Sequence, residues 1–535
     1  MPFQWTTWIL YWSMFYGAPD ATRNDCLPPS RRQDEEIDVS PNSSKEQRLC
    51  YQSLKDSPTI LPLTAEQIDE QIDQFIQNID EGAVGQLASR HNDQKPWKIV
   101  GRANGSFNVC FFVQFDDGTT WVVRIALNPV VDKVWTKCQS EVATIRYLRL
   151  KSKIPVPQVR AFGQDTTLTK KGCEPLAFII SDHVAGQTLS ITALQNATKM
   201  QRQRFFDDLI EVHAQLRQLE FPAAGSLMPN SGRDSEPIIG GLLTMAGNEL
   251  HQYLGERRSP GPFVSTTDFL NYQYYLLWES SRLPSENLKR AQAEDELFAL
   301  VTLAKQVPTL HDSQSPNGPF ILSHLDLRCG NIIIDVDFGI AGIIDWEFSG
   351  AVPLEYSTPP LWITGHGRNA YINLYTDTIS NEFYAALRTK ATTSNNCARL
   401  MQEWTSQTQL AFPIVQILRQ PETLLRVFYS FIFRKFYKGD REKVISEFFA
   451  QNDHDGALAE EIRYRVENSK IYVQYLREHG LQIVDVEAKK RQEELIEKLR
   501  SGIAKLEEMY GSNNQSEDCD FALPKIAPEP ATPLA

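Results

Sequence analysis

His324, Asp326, Asn331 and Asp345 share one short stretch, Phe320 to Glu347, which reads FILSHLDLRCGNIIIDVDFGIAGIIDWE. Two carboxylates and a carboxamide on one rigid scaffold are what phosphoryl transfer from a nucleotide needs. One Asp orients and deprotonates the acceptor hydroxyl, while an Asn and a second Asp hold Mg²⁺ on the β- and γ-phosphates. The spacing assigns the acceptor to Asp326 and the metal to Asn331 and Asp345. The H-x-D-x-x-x-x-N pattern followed by a strand-borne Asp carries this signal; H-x-D alone does not.

These groups have to be positioned by the apolar runs around them. Ile332-Ile333-Ile334 and Ile340 to Ile344 are β-branched runs broken by Asp337-Phe338-Gly339, the pattern of a buried hairpin. Such a hairpin returns the chain to its starting end and carries Asp345 back beside Asn331. The tripeptide D-F-G at 337–339 is a decoy. It spells the metal-binding motif of protein kinases, but it lies where the chain must turn, and Asp and Gly are turn residues. Asp337 would therefore stand at the wrong end of the hairpin.

H-L-D-L-R-C-G-N followed by I-I-D-W-E resembles the aminoglycoside phosphotransferase and choline-kinase-like families, in particular their broad fungal branch. The resemblance covers roughly residues 95–480, a span that would form a single two-lobed unit. It implies an α+β, protein-kinase-like bilobal fold, with an antiparallel-sheet N-lobe and a mainly helical C-lobe. It also implies ATP- and Mg²⁺-dependent phosphorylation of a hydroxyl, or an amine, on a small molecule. Relatives often carry H-G-D-x-H-P-G-N, so Leu325, Arg328 and Cys329 are departures that bear on the contour of the loop. His324 joins the catalytic set as a support of that loop.

The small lobe begins near Trp97. Gly101, Gly105, Ser106 and Phe107 fall in a loop between strands, where small residues let backbone N–H groups approach nucleotide phosphates. Arg124 ends a strand at Trp121 to Ile125, and Glu141 lies on a helical stretch from about Thr136 to Leu150. In the kinase arrangement a strand-borne cation holds the phosphates and is braced by a helix-borne Glu. Most kinases use Lys at this position. Guanidinium is larger and planar but stays charged and grips phosphate bidentately, and the resemblance implies that Arg124 is functional. It likewise implies that Ser181 to Gly186 connects the lobes, with the peptide groups of Asp182 and Val184 at the adenine edge.

Between His183 and His324 lie about 140 residues, far beyond an ordinary connection. Helices are expected at Phe205 to Leu219, Gly240 to Leu254 and Thr266 to Ser280, the last capped by Asp268. Insertions of this size shape the acceptor site in the antibiotic and choline kinases. Thr423 to Tyr437 reads as one helix with Phe436 turned inward. Trp346 and Glu347 would suit a cationic acceptor at the mouth of the site.

The 535-residue chain divides into a weakly ordered extension (1–60), an N-lobe with a leading helix (61–185), a helical C-lobe (186–485), a charged helix (486–510) and a disordered tail (511–535). The leading helix starts at Thr64, whose capping partner is Gln67. Lys+Arg 54 against Asp+Glu 67 gives a net charge of −13, which argues against nucleic acid as a partner. The aromatic Met1 to Tyr16 stretch is too short to span a bilayer, which takes roughly 20 apolar residues. Eight cysteines without a C-x-x-C pair indicate neither a zinc site nor a disulfide framework. A reducing compartment fits, cytoplasmic first and mitochondrial as the alternative. Two other classes stay open, a catalytically silent kinase-like scaffold and a protein kinase. The long insertion and the lack of an A-P-E signature disfavour the second.

Overall fold

Thr64 opens helix α1 (Ala65–Gln77) with a reciprocal cap. Its hydroxyl accepts from the Gln67 N–H at 3.3 Å, and the Gln67 side chain accepts from the Thr64 N–H at 3.0 Å. This is the start the sequence predicts. A second helix, α2 (Glu81–Arg90), follows with Asp80 as its N-cap and has no counterpart in the sequence reading. The computed structural model describes residues 61–481, apart from 173, 231–235, 255–259, 311–317, 367–372, 408–409 and 453–455. The expected N-terminal extension, charged helix and tail lie outside the described residues.

The strands β1 (Trp97–Asn104), β2 (Asn108–Phe115), β3 (Thr120–Ala126), β4 (Val159–Asp165) and β5 (Leu176–Asp182) form one five-stranded sheet in the order β1-β2-β3-β5-β4. All neighbours are antiparallel. Alternation along a strand sends successive side chains to opposite faces. Val109, Phe111 and Val113 of β2 join Val123 and Ile125 of β3 in one core, which α1 and α2 cover through Ile68, Val84 and Leu87. Arg124 therefore faces the other way, toward helix α3 (Val134–Lys151), whose Cys138 and Val142 pack on Ala177 and Ile179.

Beyond β5 the chain crosses into the helical lobe through a two-residue strand, β6 (Gln187–Thr188). There follow α4 (Lys199–Arg217), β7 (Glu220–Phe221), α5 (Met245–Leu254), α6 (Thr266–Ser281) and α7 (Arg290–Gln306). Ser265, not Asp268, caps α6: its hydroxyl accepts from the Asp268 N–H at 3.3 Å. The strand β8 (Phe320–Ser323) pairs with both β7 and β11 (Gly350–Pro353). Between these last two lie β9 (Ile332–Ile334) and β10 (Ile340–Ile343), joined to β6 in a third small sheet.

The expected helix at 423–437 is broken. It runs as Leu424–Val427, a π turn at Phe428–Ile432, and Phe433–Phe436. A π turn adds a residue to the turn and shifts the faces that follow. Phe436 consequently emerges 41% exposed, against the inward position that regular spacing gives it. Packing divides the chain into Met1–Tyr475 and Leu476–Ala535. In the second unit the described residues close a helix end, with the Leu481 N–H donating to the Leu476 carbonyl at 2.8 Å. No described helix is long and apolar enough to cross a membrane.

Phe298 on α7 is fully buried, with Phe428, Phe433, Tyr437 and Phe448 at centroid separations of 5.0 to 6.0 Å. Truncating a core aromatic removes apolar burial and leaves a cavity, at a cost of about 3–5 kcal/mol. Phe298→Ala should shift the denaturant midpoint accordingly. A midpoint unchanged from wild type would mean that this cluster does not hold the helical lobe.

Candidate active site

The hairpin sets the geometry. Ile332 pairs with Ile343 and Ile333 with Gly342, and the Ile344 N–H donates to the Asn331 carbonyl at 3.0 Å. Asp345 thus follows directly on a residue bonded to Asn331. At the other end Asp335 organises the turn, its carboxylate accepting from the N–H groups of Asp337 and Gly339 at 2.8 Å each. The Asp337 side chain is 75% exposed and lies 3.5 Å from Arg204. D-F-G stands at the opposite end of the hairpin from Asn331.

His324 is buried under the loop. Its Nδ1 accepts from the Asp326 N–H at 3.3 Å, and its Nε2 lies 3.1 Å from the Ile344 carbonyl. A carbonyl only accepts, so the proton sits on Nε2. Burial pushes the imidazole pKa down to about 4, keeping it neutral. His324 therefore fixes the loop to the hairpin and carries no charge near pH 7.

The amide nitrogen of Asn331 donates to the Asp326 carbonyl at 2.8 Å and to its carboxylate at 3.2 Å. The amide oxygen is left as the group that could ligate a metal. Arg328 approaches the same Asp326 carboxylate at 3.2 Å. Burial nevertheless pushes the Asp326 pKa up to about 6, against the pull of Arg328 and with the help of Asp345 and Glu347.

Arg124 reaches across from β3. Its guanidinium pairs with Glu141 of α3, with Asp345 at 2.9 Å and with Glu347 at 3.7 Å. Burial works against the cation, but these carboxylates more than offset it and hold its pKa well above the ordinary value. Asp345 and Phe348 both adopt left-handed backbone, at φ 68° and 59°. Non-glycine residues in that region are costly and collect at functional sites. These turns send Asp345 and Glu347 toward Arg124 while Trp346 goes inward.

Trp346 does not stand at the mouth of the site. It is 1% exposed, its ring 4.6 Å from that of His324 and its indole N–H donating to the Ile343 carbonyl at 2.9 Å. An aromatic between two inward-turned carboxylates has the core as its only dry neighbour. Two residues in the cluster have no place in the sequence reading. Lys137 is ion-paired with Glu347, and the Asn108 amide donates to the same carboxylate at 2.8 Å. Lys137 precedes Glu141 by one helical turn, so the two share a face of α3. That spacing is the signal that would have found it.

Asp326 and Asp345 open onto a cavity of about 380 Å³. The β1–β2 turn supplies one wall through Gly105, Ser106 and Phe107; the Gly105 N–H closes that turn on the Asn108 carbonyl at 2.7 Å. Gly101 sits elsewhere, at a bulge of β1 opposite Phe112. In the connector the Asp182 carboxylate is held by Arg160 at 2.6 Å, and its N–H donates to the Gln158 carbonyl at 3.0 Å. Val184 packs so closely on Gly342 that a Cβ there would lie 2.7 Å from it. Gly101, Asp182 and Val184 do not line the cavity.

Among the described residues no group of three or more His, Cys, Asp or Glu forms a metal cage. The donor set of Asn331 and Asp345 still fits Mg²⁺, which is usually held by one or two carboxylates together with substrate phosphates.

Among curated proteins, the chain is 25% identical over 274 residues to clavilactone A biosynthesis cluster protein Y of Ampulloclitocybe clavipes, an alignment covering 48% of this chain and 62% of that protein. It is also 25% identical over 338 residues to altered inheritance of mitochondria protein 9, mitochondrial, of Kluyveromyces lactis, covering 53% of this chain and 51% of that protein. The chain thus matches between half and two thirds of these relatives' own length. Among solved structures, Plasmodium vivax ethanolamine kinase aligns at TM-score 0.39 and 14% identity, over 79% of this chain and 96% of that one. The ADP-bound aminoglycoside phosphotransferase APH(2'')-Ib aligns at TM-score 0.37 and 11% identity, over 73% and 99%. Residues 98–356 match the model of the phosphotransferase enzyme family.

Proposed function

We propose that the chain transfers the γ-phosphoryl group of ATP, with Mg²⁺, to a hydroxyl on a small molecule. The observation that carries this reading is that Asp326 and Asp345 line one cavity while the Arg124–Glu141 pair is bonded to Asp345 behind it. Asp326 takes the proton of the acceptor hydroxyl as its oxygen bonds to the γ-phosphorus and the bond to the leaving diphosphate breaks. Arg124 grips phosphate while Glu141 holds the guanidinium in place. Asn331 and Asp345 would hold Mg²⁺, which supplies neutralisation of the phosphate charge. His324 keeps the loop that presents Asp326 fixed to the hairpin.

A cavity of this size suits a small acceptor. Met245, Leu250 and Leu424 give it apolar wall, and Glu249, Glu296 and Glu422 line the same space. This combination favours an acceptor with an apolar body and a positive charge; Glu347, expected from sequence, lines the same space, whereas Trp346 does not. The name of the clavilactone cluster relative also fits a small-molecule substrate.

Asp326→Asn should lose 10²–10⁴-fold in turnover, as loss of a positioned base does, with nucleotide affinity nearly intact. ATP consumption against pools of amino alcohols, aminoglycosides, sugars and cell extract supplies the assay. More than about a tenth of the wild-type rate would remove Asp326 from the mechanism. The reaction needs the carboxylate form, so the rate should fall as pH drops through about 6. The same shift has a stability consequence. A carboxyl whose pKa is raised on folding destabilises the folded state above that pKa and has no such effect below its unfolded value. Asp326→Asn should therefore raise the melting temperature at pH 7.5, and the gain should shrink toward pH 4. A gain that persists unchanged at low pH would contradict the burial argument.

Asp345→Asn should weaken Mg²⁺–ATP binding while Asp337→Asn binds like wild type; the reverse outcome would move the metal to the D-F-G turn. Arg124→Ala removes hydrogen bonds to a charged group, each contributing about 1.5–3 kcal/mol, so nucleotide affinity should fall by roughly 10- to 150-fold. Arg124→Lys should recover part of it, keeping the charge without the fork. Calorimetric titration giving three indistinguishable dissociation constants would leave Arg124 out of the phosphate site.

A further inference from the structure

Lys137 is an unusual residue to bury. It is 3% exposed, on the same face of α3 as Glu141, and its ammonium is ion-paired with Glu347. The rings of Phe107 and Phe348 flank it at 5.7 and 5.5 Å, and these two rings meet edge to face at 5.1 Å. Phe107 belongs to the β1–β2 turn and Phe348 to the chain just past Glu347. One ammonium therefore ties together the turn, α3 and the acidic end of the hairpin. A lysine this deep is retained only when it is paired, and removing its partner leaves an uncompensated charge.

The neighbouring charges show what the pairing accomplishes. Glu347 already lies 3.7 Å from Arg124, the same guanidinium that serves Glu141 and Asp345. Two buried cations stand against three carboxylates. With Lys137 and the Asn108 amide on Glu347, that carboxylate has partners of its own. Without Lys137, Glu347 has one cation within reach, and it is the Arg124 fork. A fork drawn to a third carboxylate is less free to turn to phosphate.

We propose that Lys137 is a positioning residue that holds Glu347 off Arg124 and so keeps the guanidinium available to the nucleotide. The proposal rests on the phosphotransferase reading of the site and adds to it a residue that acts through Glu347. It makes no contact of its own with the nucleotide.

A double-mutant cycle tests this, because the effect of losing Lys137 must depend on the charge of Glu347. The full chain is titrated calorimetrically with a non-hydrolysable Mg²⁺–ATP analogue, as wild type, Lys137→Met, Glu347→Gln and the pair. Lys137→Met should weaken binding by about tenfold or more, the scale of a buried charge left unpaired. In the Glu347→Gln background the same change should cost less than about threefold, and Lys137→Arg alone should stay close to wild type. Lys137→Gln runs beside the Met variant, so that a failure of Met to fold at this position still leaves a neutral side chain to measure. Thermal melts record any loss of stability separately. Equal losses in both backgrounds would mean that Lys137 touches the nucleotide itself, and an unchanged dissociation constant would mean that it serves the fold alone. Either result overturns the proposal and leaves the phosphotransferase reading standing. A wild-type chain that binds no nucleotide overturns both.

Discussion

The Arg124 guanidinium bonds groups from both lobes at once. Arg124 comes from the middle of the sheet, Glu141 from the helix packed on that sheet, and Asp345 from the far lobe. A cation enclosed this way must be matched by carboxylates with good geometry, because desolvation otherwise outweighs the attraction. The match is possible only if the sheet face, the pitch of α3 and the end of the hairpin agree in register. Strand alternation puts Arg124 on the α3 side of β3, and the left-handed turn at Asp345 swings that carboxylate toward it. Much of the surrounding structure can be understood as the means of keeping these three elements in step.

The hairpin is the stiff member of the arrangement. Its β9 strand is bonded on both sides, to β10 and to the short β6 that follows the connector. The Ile343 N–H also donates to the Pro155 carbonyl of the sheet lobe at 2.7 Å. Gly186 lets the connector pass this close. Its φ of 140° suits glycine, and a Cβ there would lie 2.5 Å from the Ile334 carbonyl. The connector is thus a bonded part of the platform that carries Asn331 and Asp345.

Most of the acidic machinery was legible in the sequence for a local reason. Isoleucine runs and an Asp/Gly turn specify a hairpin without help from distant residues, and a hairpin fixes which end each carboxylate occupies. The antiparallel sheet was expected from the family resemblance, and the structure has it. What escaped is what depends on distant partners. The β7-β8-β11 sheet joins segments near residues 220, 320 and 350, so no window contains it. The π turn at Phe428–Ile432 has no signature in apolar spacing, which is why Phe436 was placed on the wrong side. Lys137 resembled any solvent-facing lysine, since its partner Glu347 lies some 210 residues away in the chain. Trp346 was misplaced because an aromatic between two acids suggests a binding surface, whereas the backbone turns divide the three residues between the site and the core.

That division gives the site a built-in optical reporter. The Trp346 indole is shielded from water, tilted against the His324 ring and flanked in sequence by the carboxylates of Asp345 and Glu347. An indole's emission responds to the field across its ring, so a change of charge or position at either neighbour should register in its colour and intensity. The residue that contributes least to chemistry at the site is therefore the one through which the site can be watched without a label.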